Sequence, residues 1–179
     1  MHLNTLVALS LTAISLLGSC TSNNDLLIGI AEVNYTPEIG FDLEGNYRGD
    51  DYASRGIHDS LYARAIVAQG ANGTKAALLT IDICMLKKDA VTYMRNYIAS
   101  KTDIKAENVM VSVSHTHSGP KADINNPKVK AFLTKAAESV VQANGQMKPS
   151  ELFAGQSTEN RISHNRRLKC KDGSTHMAL

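Results

Sequence analysis

The stretch Lys75–Cys84 reads KAALLTIDIC and is apolar almost without interruption. A strand with that pattern reads as covered on both faces, which points to a layered fold. Just ahead of it, YARAIVAQG (Tyr62–Gly70) also reads as a strand. Ala71-Asn72-Gly73-Thr74 lies between them and puts Asn-Gly at the centre of a turn, so the two strands are expected to form a β-hairpin. An earlier strand, LLIGIAEVNYT (Leu26–Thr36), is ended by Pro37. The acid-rich stretch Glu38–Asp51 carries Gly40, Gly45 and Gly49 and reads as loop.

Helical spacing begins after the apolar strand. In KKDAVTYMRNYIASKT, Val91, Met94 and Ile98 fall on one face, with Ala90 and Tyr97 alongside. The segment Asn108–His117 alternates as a strand. NNPKVKAFLTKAAESVVQANG carries the clearest helical signal: Asn126 can cap it, Pro127 suits the first turn, and Gly145 can stop it. Its stripe is Val129, Phe132, Leu133, Ala136 and Val140. ELFAGQST (Glu151–Thr158) reads as a further strand. Strands alternating with helices in this order argue an α/β layered fold with a mixed β-sheet flanked by helices.

The first segment has a different character. Residues 1–19 carry a short apolar core, Leu6–Leu17, which is too short to span a bilayer and has the length of a signal-peptide core. It ends in Leu17-Gly18-Ser19-Cys20, which resembles the box of bacterial lipoproteins, although no Lys or Arg precedes the core. That resemblance implies lipidation at Cys20, a tether over residues 20–27, and export to the cell envelope with a lipid anchor in the membrane. A globular part then covers 28–179. Cys84 and Cys170 make no disulfide framework; Cys84 reads as a buried small hydrophobe and Cys170 as exposed. Lys and Arg total 19 against 17 Asp and Glu, with no basic stripe, so the composition does not call for a nucleic-acid partner.

Chemistry concentrates in VSVSHTHSGP (Val111–Pro120). In an extended strand Val109, Val111, Val113, His115 and His117 share one face. The two histidines would continue a valine-faced strand at its C-terminal end, where α/β sheets form ligand crevices. Their backbones would lie ~6.6 Å apart, close enough for both rings to meet one ion, or for one ring to bind metal while the other meets a substrate. Ser118-Gly119-Pro120 then turns the chain. On spacing alone, two polar residues opening a loop would explain the same pattern.

SVSHTHSGP resembles the ATHTHSGP signature of the neutral, non-lysosomal ceramidases. Four further segments resemble that family in the same order. GIAEVNYTP is similar to its opening strand, G-x-A-x-x-D-I-T-P. GIHDSLYARAIV (Gly56–Val67) is similar to its GIHxxLYARA segment. ALLTIDICML (Ala77–Leu86) is similar to a strand ending in Thr/Ser-x-Asp, and Asn165-Arg166-Arg167 to I-N-R-S. The resemblance runs from about Ile28 to the end. It implies a zinc-dependent amide hydrolase acting on ceramide or a similar lipid amide, giving a sphingoid base and a fatty acid. By the same resemblance His115 is a zinc ligand, while His117 and Arg166 are catalytic groups against the substrate. His58 could line the cleft, or be a structural histidine bonded to the backbone. Asp82, a carboxylate inside the most apolar strand, could orient an imidazole or cap the following helix.

Several features depart from the family. Arg167 stands where the ceramidase motif has Ser, and no later segment matches the motifs that supply the other zinc ligands. The chain is therefore expected to be either the N-terminal part of a larger catalytic domain or a shortened homologue. A single imidazole holds zinc weakly, so little turnover is expected from the chain by itself. Two alternatives accompany this reading: a non-catalytic envelope lipoprotein that binds a ligand or partner on the same sheet, and another zinc hydrolase using H-x-H.

Overall fold

The computed structural model describes residues 26–162 and 165–177; residues 1–25, with Cys20 and the apolar core before it, lie outside the described residues. Five strands form one mixed sheet in the order β4-β3-β2-β1-β5. They are β1 (Leu27–Asn34), β2 (Tyr62–Gln69), β3 (Lys75–Ile81), β4 (Val109–Val113) and the short β5 (Lys148–Pro149). Helix α1 (Lys88–Lys101) connects β3 to β4, which run parallel; the other pairings are antiparallel. Helix α2 (Pro127–Gly145) connects β4 to β5. A separate hairpin, β6 (Arg167–Lys169) with β7 (Thr175–Met177), is exposed throughout.

The expected hairpin forms between β2 and β3, with Gln69 opposite Lys75. Gly73 takes the positive φ of 76° that its turn requires, and the Asn72 side chain accepts from the Thr74 N–H. Helix α2 also begins as its sequence indicates: the Asn126 side chain accepts from the Lys128 N–H at 2.9 Å, and Pro127 occupies the first turn. Its buried face includes the whole expected stripe. In α1 the buried positions are Ala90, Met94 and Ile98, while Val91 is only half-buried.

One core fills the space between the sheet and the two helices. The strands supply mostly small side chains: Ala31 from β1, Ala63 and Ala65 from β2, Ala77 from β3. Gly29 of β1 is the extreme case, since a Cβ built there would lie 1.8 Å from the Ala143 carbonyl oxygen of α2. The helix can therefore pack almost against the backbone of the sheet. Bulk comes from α1 and α2 through Met94, Ile98, Phe132 and Leu133, with Leu79 and Ile81 beneath them.

Three expectations are corrected. The sheet is not covered on both faces by the described residues. In β3, Ala77, Leu79 and Ile81 are buried while Ala76 and Leu78 are exposed. Ile30, Ile66, Leu78 and Met110 are register partners across four strands and form an exposed apolar row on the open face. Strand pairing suffices to hold these residues extended, so a continuous apolar run did not require a second layer. The second correction is at Glu151–Thr158, which forms no strand. Leu152 and Phe153 are exposed there, and β1 is instead edged by Lys148–Pro149. Third, β4 ends at Val113, short of both histidines.

Tyr35, at the exit of β1, ties the sheet to the loop after β3. It is buried, its ring stacks on Phe132 at 5.9 Å, and its hydroxyl donates to the Asp82 carbonyl at 2.6 Å. Burial, with the Asp82 charge, pushes the phenol's pKa well above its ordinary value, so it remains a donor into the alkaline range. Tyr35→Phe is expected to cost about 1 kcal/mol in urea unfolding. No loss of stability would mean that this hydroxyl is not held by Asp82.

Candidate functional site

The parallel pair β3–β4 ends side by side. Beyond it the Ser114 N–H still donates to the Ile81 carbonyl at 3.0 Å, and the chain then turns. The turn falls at His115, whose φ of 59° is left-handed, a conformation uncommon for a residue with a side chain. An extended chain would have carried the two histidines outward in parallel. With the turn, their ring centroids stand 4.9 Å apart at an interplanar angle of 74°, and their Nε2 atoms are 3.3 Å apart.

A hydrogen bond fixes which nitrogen His115 presents. His115 Nδ1 lies 2.7 Å from the Cys84 carbonyl oxygen, which can only accept, so Nδ1 carries the proton. His117 Nδ1 lies 3.0 Å from the Asn46 side-chain oxygen. The Nε2 of His115 is then a lone-pair nitrogen, and it faces the Nε2 of His117. Cys84 is buried, with its Sγ 3.8 Å from His115 Nδ1. Among the described residues, Cys84, His115 and His117 place three potential ligand atoms within 4.8 Å of one another.

The loop between β1 and β2 holds His117 from the other side. Its backbone joins the turn after His117 through Glu44 N–H to the Gly119 carbonyl at 3.1 Å and Lys121 N–H to the Asp42 carbonyl at 2.7 Å. Arg48 donates to the His117 carbonyl at 2.7 Å. Gly45, at a φ of 106°, passes so close that an added Cβ would meet the His117 ring at 2.4 Å. Asn46 and Arg48 were not anticipated from the sequence. The clustered glycines of that loop were the available signal, because they mark a backbone free to come close to something else.

The other expected site residues are scattered. Asp82 does not touch an imidazole and does not cap α1; its carboxylate accepts from the Tyr62 N–H and from Arg64, each at 3.1 Å, and Lys87 at the N-cap of α1 makes no side-chain capping bond. His58 is exposed and pairs with Asp59 at 2.8 Å, which raises its pKa through that hydrogen bond and the carboxylate charge. It helps line a hollow of about 460 Å³ that Thr116 and Ser118 border from the histidine segment, with Phe41, Leu43 and Leu61 among its apolar walls. Arg166 is exposed just before β6, and no hydrogen bond or ion pair joins it to the described residues. No helix among the described residues is long and apolar enough to cross a membrane.

Residues 27–170 match the family model described as neutral/alkaline non-lysosomal ceramidase, N-terminal. The chain is 24% identical to neutral ceramidase 1 of Arabidopsis thaliana over 151 residues, covering 76% of this chain and 19% of that protein. It is 25% identical to the neutral ceramidase of Oryza sativa subsp. japonica over 147 residues, covering 74% and 19% respectively. The chain thus spans about a fifth of the length of these relatives. The crystal structure of neutral ceramidase from Pseudomonas aeruginosa is similar in fold. Its TM-score is 0.58 at 23% identity, over 70% of this chain and 22% of that one.

Proposed function

The chain belongs to the neutral/alkaline non-lysosomal ceramidase family, and from that premise we propose that it furnishes the N-terminal part of a zinc-dependent hydrolase cleaving the amide bond of ceramide or a related lipid amide. The observation that carries this reading is the lone-pair Nε2 of His115, facing the His117 ring just beyond the carboxyl end of β4. The donor chemistry fits zinc, which takes neutral imidazole readily and in catalytic sites leaves a position open. In this proposal His115 holds the ion, and its Nδ1–H on the Cys84 carbonyl sets the ring's direction. Bound zinc would supply Lewis acidity and a water activated near neutral pH. His117 stands where it can also face the scissile amide, and the hollow bordered by Thr116 and Ser118 offers apolar walls to an aliphatic chain.

The test is zinc content together with hydrolysis of a short-chain fluorescent ceramide by the longest natural product that contains this chain, comparing wild type with His115→Ala. Loss of both in the variant is expected. Stoichiometric zinc retained by His115→Ala would remove the residue from the metal site, and ceramide left intact by zinc-loaded protein would remove the reaction. Under the non-catalytic alternative, zinc binds and no turnover follows.

We also propose a lipid anchor at Cys20 and residence in the cell envelope, on the strength of Leu17-Gly18-Ser19-Cys20. Palmitate labelling lost in Cys20→Ser is the expected result, and labelling of both proteins would exclude it.

A further inference from the structure

We infer that Asp82 is a positioning residue of this site: without touching either ring, it fixes the bend whose Cys84 carbonyl holds His115. The inference rests on the reading of His115 given above and deepens it, by naming what keeps that imidazole in one tautomer.

The N–H, the carbonyl and the carboxylate of Asp82 are all engaged. The N–H donates to the Tyr62 carbonyl at 3.0 Å. The carboxylate accepts from the Tyr62 N–H, so Asp82 closes onto both backbone groups of one position in β2. The carbonyl accepts from the buried Tyr35 hydroxyl at 2.6 Å. Arg64 also donates to the carboxylate. It is steadied in turn by Glu32 at 2.7 Å and by the Tyr62 ring, whose centroid lies 5.1 Å from the guanidinium carbon.

The chain changes direction at this residue. Ile83 N–H donates to the Ile81 carbonyl at 2.9 Å, a three-residue turn centred on Asp82. Just beyond it, Cys84 offers its carbonyl to His115 Nδ1 at 2.7 Å. The histidine segment leans on the same bend at Gly119, where a built Cβ would lie 3.2 Å from the Asp82 carbonyl oxygen and 3.5 Å from Ile83 Cα. A displacement of about 1 Å is enough to break a hydrogen bond of this length. With that bond gone, nothing holds the proton of His115 on Nδ1, and Nε2 keeps its lone pair only part of the time. The charged groups contribute little to overall stability, since Arg64 and Glu32 are half-exposed. Their effect is local, on where the bend lies.

The experiment reads the ring nitrogens of His115 by long-range proton–nitrogen NMR, in the full chain without added metal and at a pH of about 8.5, where imidazole is neutral. In the wild type the proton is expected on Nδ1. In Asp82→Ala the share of the other tautomer is expected to rise about fivefold or more, the factor by which loss of an ordinary hydrogen bond shifts an equilibrium. Asp82→Asn has the same shape and keeps an oxygen for the Tyr62 N–H, so a smaller change in the same direction is expected, and circular dichroism checks that both variants fold. Val140→Ala is the control for lost stability. It lies in the core one turn before Ala143, whose carbonyl faces Gly29. It is expected to lower the melting temperature and to leave the His115 signals as in the wild type.

A His115 ring that keeps its wild-type tautomer in both Asp82 variants overturns the inference and leaves the reading of His115 as a ligand standing. Equal changes in Val140→Ala and Asp82→Ala also overturn it, because they would trace to lost stability and not to the bend. A wild-type chain in which His115 carries its proton on Nε2 would remove the inference together with the lone-pair nitrogen on which the proposed function rests.

Discussion

Gly29→Ala is expected to destabilise the chain by about 3 kcal/mol or more, the upper part of the range for over-packing a filled core. The added methyl would sit 1.8 Å from the Ala143 carbonyl oxygen and 2.8 Å from its carbon. Both are backbone atoms of α2, and no side-chain rotation relieves them. The helix must lift from β1, and because α2 lies across β1, β2 and β3 the displacement opens the shared core. In a domain of this size that loss lowers the melting temperature by roughly 10 °C. Gly56→Ala is the control: nothing lies within 4 Å of its built Cβ, and its stability is expected to stay within about 0.5 kcal/mol of wild type. Equal melting temperatures for the two variants would contradict the close approach of α2 to β1.

Gly45→Ala is expected to damage the histidine pair more than the fold. Two costs arise at this position. A φ of 106° is unfavourable for alanine, by about 1–3 kcal/mol. The new methyl would also meet three atoms of His117, at 2.4, 2.5 and 2.8 Å. Gly40 separates these contributions, for it has nearly the same φ, 102°, with nothing within 4 Å of a built Cβ. Both variants should lose comparable stability through the backbone. Only Gly45→Ala should also displace the His117 ring, since the ring must leave Asn46 to admit the methyl. With the two variants compared side by side by imidazole NMR and thermal melting, a His117 ring signal unchanged in Gly45→Ala would show that the loop does not set the position of His117.

The elements most legible in the sequence are those whose signals are local. Asn126 and Pro127 open α2, and Asn72-Gly73 turns the hairpin, because capping and turn geometry depend on a few adjacent atoms. The covering of the sheet was not legible. Leu78 and Leu79 are equally apolar, yet one faces the helices and the other faces outward, and only the position of α1 and α2 decides which. Glu151–Thr158 differs for a similar reason: a short segment with Leu152 and Phe153 becomes a strand only if a neighbour pairs with it, and β1 is edged by Lys148–Pro149 instead. At the site, the two histidines and their place after a valine strand were visible. The left-handed turn at His115 was not, because Val-Ser-His-Thr-His contains no glycine to announce it. Asn46 lies 71 residues from His117 in a segment whose composition reads only as loop. Asp82 was visible as an unusual carboxylate, but its partners Tyr62 and Arg64 belong to the adjacent strand, and their register emerged only on folding.

The turn at His115 bears on how the residue can be probed. Alanine there removes the imidazole and at the same time loses the anchor on the Cys84 carbonyl that helps keep the corner bent, so a single measurement blends chemistry with geometry. Asparagine tolerates left-handed backbone better than most residues and carries no imidazole. A comparison of the two substitutions would therefore divide the influence of this position between what its side chain donates and what its backbone shapes.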